Sequence, residues 1–252
     1  MNLKKYEEWI VMFIGKVLLS GIPASLKDYL ESLPEGQVAV PVYYRDDVSG
    51  QVYFISDYTL TNVKEFEKSA PAGLYRGGAL LELLTKQGRV VIYDERYKWI
   101  RMIGGIARYS EGGDLIKTAI RESVVEELTV LTNGEKTRLV PCGTIELTSH
   151  DVEGWGITVD SIEETGSISV VKRTFNEANH AFELVVRWDI SDCDDLIILH
   201  SEDWFRGGRS GFVPFVINDK GEIIGLYDGR HGYMSLPVET LHPTLAEVLS
   251  II

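Results

Sequence analysis

The chain predicts an α/β protein in which a mixed β-sheet is sandwiched between helices, with an N-terminal extension built from helix and β-hairpin. Three observations predict it. The elements run in the order strands, central helix, strands, closing helix; the segment Arg89 to Glu95, RVVIYDE, is a strongly β-branched strand; and that strand stands directly before a glycine-rich stretch that feeds the central helix. Such an order packs helices on the faces of a sheet.

Helix signals at about 3–20 and 24–33 open the chain. Trp9 to Ile22 is apolar enough to resemble a signal-peptide core, but Glu7 and Glu8 precede it and Lys16 interrupts it, and fourteen residues are too short to span a bilayer. It reads as a packed amphipathic helix. Two alternating runs follow, Gln37 to Tyr44 and Gln51 to Tyr58, joined by the turn Asp46-Asp47-Val48-Ser49-Gly50. Residues 62–68 and 77–85 read as short helices. Beyond the central helix, Leu139 to Thr148, Ser167 to Phe175 and Ala181 to Ile190 are strand-like, and Phe212 to Ile217 and Glu222 to Tyr227 flank the hairpin signal Asn218-Asp219-Lys220-Gly221. The last helix starts at Thr244, where Thr244-Leu245-Ala246-Glu247 has capping-box spacing after Pro243. No repeat or low-complexity linker divides the chain. A boundary at Ser69-Ala70-Pro71-Ala72-Gly73 separates an extension, 1–70, from a domain, 71–252.

Composition narrows the function classes. A chain of 252 residues with 44% hydrophobic content can bury a full core. The net charge of −13 argues against a binder that tracks nucleic-acid phosphates, since such surfaces are basic. Cys142 and Cys193 are too few and too far apart for a disulfide framework or a zinc site, so a reducing, cytoplasmic compartment is expected, with no membrane partner. The extension offers a surface for a homodimer.

The segment that carries chemistry is Gly104 to Val130, GGIARYSEGGDLIKTAIRESVVEELTV. At about 100° per residue, Glu122 and Glu126 lie about 40° apart around a helix axis, and Glu127 about 100° beyond Glu126. Three unpaired carboxylates this close repel one another unless a cation sits between them, and Mg²⁺ or Mn²⁺ prefers oxygen ligands. Gly104, Gly105, Gly112 and Gly113 allow positive φ, so backbone N–H groups of a loop there can approach an anion near the helix start. Read without this chemistry, the same run is the wet face of an amphipathic helix whose apolar face is Ile116, Ala119, Ile120, Val124 and Leu128.

The segment resembles the signature box of the Nudix hydrolases: two glycines, a short loop closed by a glutamate, then a helix carrying Arg-Glu, a hydrophobic and a variable residue, Glu-Glu, a variable residue, Gly and a hydrophobic residue. The resemblance covers 27 of 252 residues. Glu126-Glu127-Leu128-Thr129-Val130 falls on the closing run, Gly113 on the loop glycine and Asp114 on the loop glutamate. In that register the Arg-Glu pair falls on Glu122 and Ser123, and the loop is about three residues longer than the family's. Sliding by one restores Arg121-Glu122 but puts Val125 on the first glutamate of the pair. Family members present glutamates at i, i+3 and i+4, whereas Glu122, Glu126 and Glu127 are spaced i, i+4 and i+5. Glu122 compensates only if the helix is locally overwound or bulged, and Glu111 or Asp114 could reach in from the loop.

The resemblance implies a metal-dependent hydrolase of a nucleoside diphosphate linked to another moiety. Glu122, Glu126 and Glu127 would be both metal ligands and catalytic groups, and a bound Mg²⁺ or Mn²⁺ would activate water. Gly104, Gly105, Arg101 and Arg108 would hold the diphosphate of a small nucleotide substrate, and Glu146, Glu163 or Glu164 could take the proton. The alternative is a Nudix-like module that has lost hydrolysis and binds a nucleotide or a protein. Weaker candidates are the loop Phe205 to Gly211, which reads as a solvated connection, the aromatic residues Trp99, Tyr97 and Tyr109, and the isolated His150, His180 and His231.

Overall fold

The computed structural model describes residues 14–16, 21–35, 39–86, 88–94, 99–123, 128–132, 135–144, 161–192, 197–200, 212–217, 223–226 and 245–246. They form a mixed α/β structure with mostly antiparallel strand pairing and few helices. The chain divides into two compact units: Met1–Ala79 with Gly105–Thr118 and Lys172–Leu184, and Leu80–Gly104 with Ala119–Val171 and Val185–Ile252. Among the described residues no helix is long and apolar enough to cross a membrane.

In the first unit β1 (Ile14–Lys16) runs parallel to β3 (Val52–Leu60), and β2 (Val40–Arg45) pairs antiparallel with both β3 and the first half of β4 (Leu74–Thr85). The β2–β3 turn is the one expected at 46–50. Asp46 accepts from the Val48 N–H at 3.1 Å and the Ser49 hydroxyl at 2.7 Å, and Gly50 takes φ +69°. Helix α1 (Ala24–Ser32) turns Leu26 and Leu30 inward, onto a core of Val40, Val42, Ile55, Leu60 and Phe66. Phe66 belongs to α2 (Val63–Ser69), whose Asn62 side chain caps the Glu65 N–H at 3.1 Å.

Two expectations are corrected here. Ile14-Gly15-Lys16, inside the stretch expected as an amphipathic helix, is strand β1; most of that stretch lies outside the described residues. Residues 77–85, expected as a short helix, belong to β4, which is buried at nearly every position. A strand covered on both faces reads as an unbroken apolar run, and Leu80-Leu81-Glu82-Leu83-Leu84 then mimics helical spacing.

In the second unit β5 (Gly88–Asp94) is paired antiparallel with the second half of β4, with β6 (Trp99–Arg101) and with β14 (Phe212–Ile217); β14 makes the expected hairpin with β15 (Ile223–Leu226). A second sheet has the order β10 (Ser161–Glu164), β9 (Glu135–Val140), β8 (Leu128–Thr132), β13 (Ile197–His200). Glu82 of β4, only 2% exposed, is gripped by Arg89 at 2.5 Å and Arg187 at 2.7 Å. A carboxylate so deeply buried must be paired. Strands β7 (Ile103–Ile106), β11 (Ser167–Asn176) and β12 (Ala181–Asp189), with helix α3 (Leu115–Ile120), contribute residues to both units, as β4 does. Leu245 and Ala246 are helical, and the rest of the expected closing helix lies outside the described residues.

Candidate functional site

The glycine pair that opens the box is not in a loop. Gly104 and Gly105 lie inside β7, which pairs with β4, and Gly104 carries φ +148°. This corrects the expected cradle, because strand pairing engages backbone groups that an anion would need. Arg101, expected to reach a diphosphate, turns Nη1 onto the carbonyls of Met102 at 2.9 Å and Gly104 at 3.3 Å.

The turn after β7 is built by its own acids. A 3-10 turn covers Tyr109–Glu111, and the Arg108 N–H donates to Glu111 Oε2 at 2.8 Å while the Glu111 N–H donates to the Arg108 carbonyl at 3.0 Å. The same Oε2 accepts from the Thr118 hydroxyl at 2.6 Å, tying the turn to the following helix. Asp114 then starts α3, its Oδ1 accepting from the N–H groups of Ile116 at 3.0 Å and Lys117 at 3.4 Å. Burial raises the Asp114 carboxyl above its ordinary range, although those N–H groups and Lys117 pull the other way. Glu111 and Asp114 therefore fold the loop and do not reach out to a metal.

Gly112 and Gly113 also have local reasons to be glycine. Both take positive φ, +63° and +81°. A Cβ on Gly113 would stand 2.8 Å from Phe54 Cγ, and the Gly113 carbonyl accepts from the buried Tyr43 hydroxyl at 2.9 Å. Burial, followed by the charges of Asp114 and Glu111, pushes the Tyr43 phenol well above its ordinary range. Tyr109, considered as a base platform, donates to the Ser56 carbonyl at 2.5 Å.

The helix is shorter than the box requires. α3 ends at Ile120, residues 121–123 form a wider π-type turn, and Leu128 already opens β8. The expected apolar face holds for Ile116, Ala119 and Ile120, all buried. It fails at Leu128, because Leu128-Thr129-Val130-Leu131-Thr132 is β-branched and its register with β9 closes Thr132 on Glu135 around Asn133-Gly134, a strong hairpin dipeptide.

Of the three glutamates expected to bind metal, Glu122 is described and buried, its Oε1 receiving Arg121 Nη1 at 2.7 Å. Arg121 is itself only 2% exposed, so the two charges neutralise each other inside the protein. Glu122 as placed does not fit a metal ligand. Ser123, which replaces a family glutamate, donates to the carbonyls of Ala119 at 2.7 Å and Ile120 at 3.2 Å, satisfying the helix end. Glu126 and Glu127 lie outside the described residues. Among the described residues no group of three or more His, Cys, Asp or Glu side chains is arranged to hold a metal ion.

The remaining candidates scatter. Glu163 and Glu164 are exposed on β10, and Glu164 Oε1 accepts from the Gly143 N–H at 3.0 Å. Trp99 is 37% exposed at the start of β6. His180 sits at φ +47° in the turn before β12, with Nδ1 3.2 Å from the Leu74 carbonyl. Glu146, Tyr97, His150, His231 and the loop 205–211 lie outside the described residues. One group escaped sequence reasoning. Glu183, near the start of β12, has Oε2 sealed from solvent without a hydrogen-bond partner, and burial raises its carboxyl above the ordinary range, opposed first by Arg76 and then by the Thr174 hydroxyl. Its place in an alternating apolar strand carried no signal. Comparison with protein-family models and with curated protein sequences found no match for this chain.

Proposed function

We propose that the chain binds a nucleoside diphosphate linked to another moiety at residues 104–127 and hydrolyses its pyrophosphate bond with Mg²⁺ or Mn²⁺. The observation that supports this reading is the order of elements: a strand carrying paired glycines, an acid-capped turn, and a short helix followed by a π-type turn with Arg121-Glu122. In this reading Glu126 and Glu127 hold the metal, which when bound supplies an activated water and charge neutralisation. Glu122, committed to Arg121, is not a metal ligand in this reading. Arg101 meets the diphosphate by giving up its bonds to the Met102 and Gly104 carbonyls, exchanging neutral acceptors for charged ones.

The Arg121–Glu122 pair also favours a second reading, a nucleotide-binding or protein-interaction module whose acid is neutralised internally. One experiment separates them. Purified protein is incubated with Mg²⁺ or Mn²⁺ and a panel of ADP-ribose, NAD, dinucleoside polyphosphates, nucleotide sugars and nucleoside triphosphates. New phosphate products that disappear in Glu126→Gln support the enzyme. Ligand-induced thermal stabilisation without turnover supports the module. Neither response to any compound refutes both.

A further inference from the structure

The buried carboxylate of Glu82 faces one guanidinium more than its charge requires. Its Oε1 accepts from Arg89 Nε at 2.5 Å and its Oε2 from Arg187 Nε at 2.7 Å, so one negative charge lies between two positive ones. The side chains of Glu82 and Arg89 are closed off, 2% and 6% exposed, whereas that of Arg187 is 34% exposed. The surplus positive charge therefore comes to the surface at Arg187, in a chain whose net charge is −13. Asp189, two residues further along β12, commits Oδ1 to the Ser191 N–H at 3.0 Å and the Ser191 hydroxyl at 2.6 Å.

A guanidinium carries five N–H donors, and Nε is only one of them. Among the described residues the Nη groups of Arg187 meet no acceptor. Because Nε is fixed to a buried acid, the Nη pair is a fork with little rotamer freedom left to lose, and such forks receive an oxyanion bidentately. The surroundings of the fork are apolar. Side chains two apart along a strand share a face, so Leu80 and Leu84 flank Glu82 on the face that Arg187 reaches from β12. Both leucines are half-buried, whereas Leu81 and Leu83, on the opposite face of β4, are each 1% exposed. A bare phosphate would use the fork and leave the leucines wet; an anion with an apolar body uses both.

We propose that this face of β4 and β12 binds a carboxylate that carries an apolar chain, the carboxylate on Nη1 and Nη2 of Arg187 and the chain across Leu80 and Leu84. The bound anion neutralises the surplus cation where it stands, without disturbing the Glu82–Arg89 pair beneath it. Leu80, Glu82, Leu84, Arg89 and Arg187 all belong to the second unit, and the inference is independent of the reading of residues 104–127.

The test is calorimetric titration of the full chain with octanoate below its micelle concentration, beside hexanoate, 1-octanol and inorganic phosphate. Octanoate is expected to bind more tightly than hexanoate, by about fourfold for each methylene that reaches the leucines. 1-Octanol, with the same chain and no charge, is expected to bind about ten- to a hundredfold more weakly than octanoate. Arg187→Gln keeps an N–H donor for Glu82 and is expected to lower octanoate affinity by the same factor while leaving 1-octanol unchanged. Leu84→Thr keeps a strand-forming residue and is expected to flatten the dependence on chain length. The comparisons of chain length and head group need no variant, so they stand as the test if Arg187→Gln does not fold. Equal affinity for octanoate and 1-octanol overturns the proposal, as does octanoate binding unchanged in folded Arg187→Gln. Phosphate binding as tightly as octanoate, or no binding of any of the four compounds, also overturns it.

Discussion

Replacing Gly113 by alanine tests what the paired glycines at 112–113 are for. Both residues hold positive φ, so any L side chain at either costs roughly 1–2 kcal/mol of backbone strain. Their surroundings differ. A Cβ on Gly112 meets nothing within 4 Å, whereas one on Gly113 would stand 2.8, 2.9 and 3.0 Å from three ring carbons of Phe54. That ring packs against Tyr43, centroids 5.8 Å apart, and Tyr43 holds the Gly113 carbonyl, so neither the ring nor the turn yields easily. Overpacking of this kind adds about 1–3 kcal/mol. Gly112→Ala should therefore cost about 1–2 kcal/mol and Gly113→Ala about 2–5 kcal/mol. Urea denaturation followed by tryptophan fluorescence measures both. In a double-mutant cycle, Phe54→Leu should recover the packing part of the Gly113→Ala cost, about 1–3 kcal/mol. Equal costs at the two glycines, or no coupling to Phe54, refute the packing account. Loss of ligand affinity without loss of stability would return the pair to an anion cradle.

Three further outcomes are expected. Glu122→Gln removes the carboxylate charge that faces the buried Arg121 guanidinium and should destabilise the protein in denaturation experiments, by about 3–5 kcal/mol if that ion pair dominates there; an unchanged midpoint would mean that the pair contributes nothing to stability. Asp114→Asn keeps the acceptor at the start of α3 while dropping a buried charge, so at pH 7 it should match or exceed wild type. Asp114→Ala should lose about 1 kcal/mol, and equal losses in both variants would remove Asp114 from the capping role. Tyr75 is pushed up to about 12, first by burial and next by donating its hydroxyl to Glu177. Because its folded pKa lies above the ordinary 10, its contribution to stability is intact below pH 10 and lost between 10 and about 12. Ultraviolet tyrosinate titration should show a late-ionising tyrosine that Tyr75→Phe removes.

Legibility in the sequence followed the range of the interactions. Asp46 to Gly50 was readable as a turn because its bonds run between residues two to four apart, and α1, α2, β5, β11, β12 and the β14–β15 hairpin were readable from their own periodicity. β4 was not, since its covering on both faces erases alternation and leaves an apolar run that helix and strand share. The strand β8 was missed despite Asn133-Gly134, because the Nudix resemblance extended a helix across it. At the candidate site, the acids were legible as residue types and their tasks were not. Glu111 spends Oε2 on the Arg108 N–H and the Thr118 hydroxyl, Asp114 spends Oδ1 on backbone N–H groups, and Glu122 spends Oε1 on Arg121, choices set by burial and partner.

Sequence by itself determined the α/β class, most of the short-range elements and the place where acids and glycines concentrate, since propensity, turn chemistry and charge spacing act within a few residues. Tertiary structure alone decided which carboxylates are consumed by neighbours and which oxygen is left over. Glu82 meets Arg187 across 105 residues of chain because β4 and β12 pair side by side. Desolvation and pairing depend on what is close in space, and no local pattern encodes that.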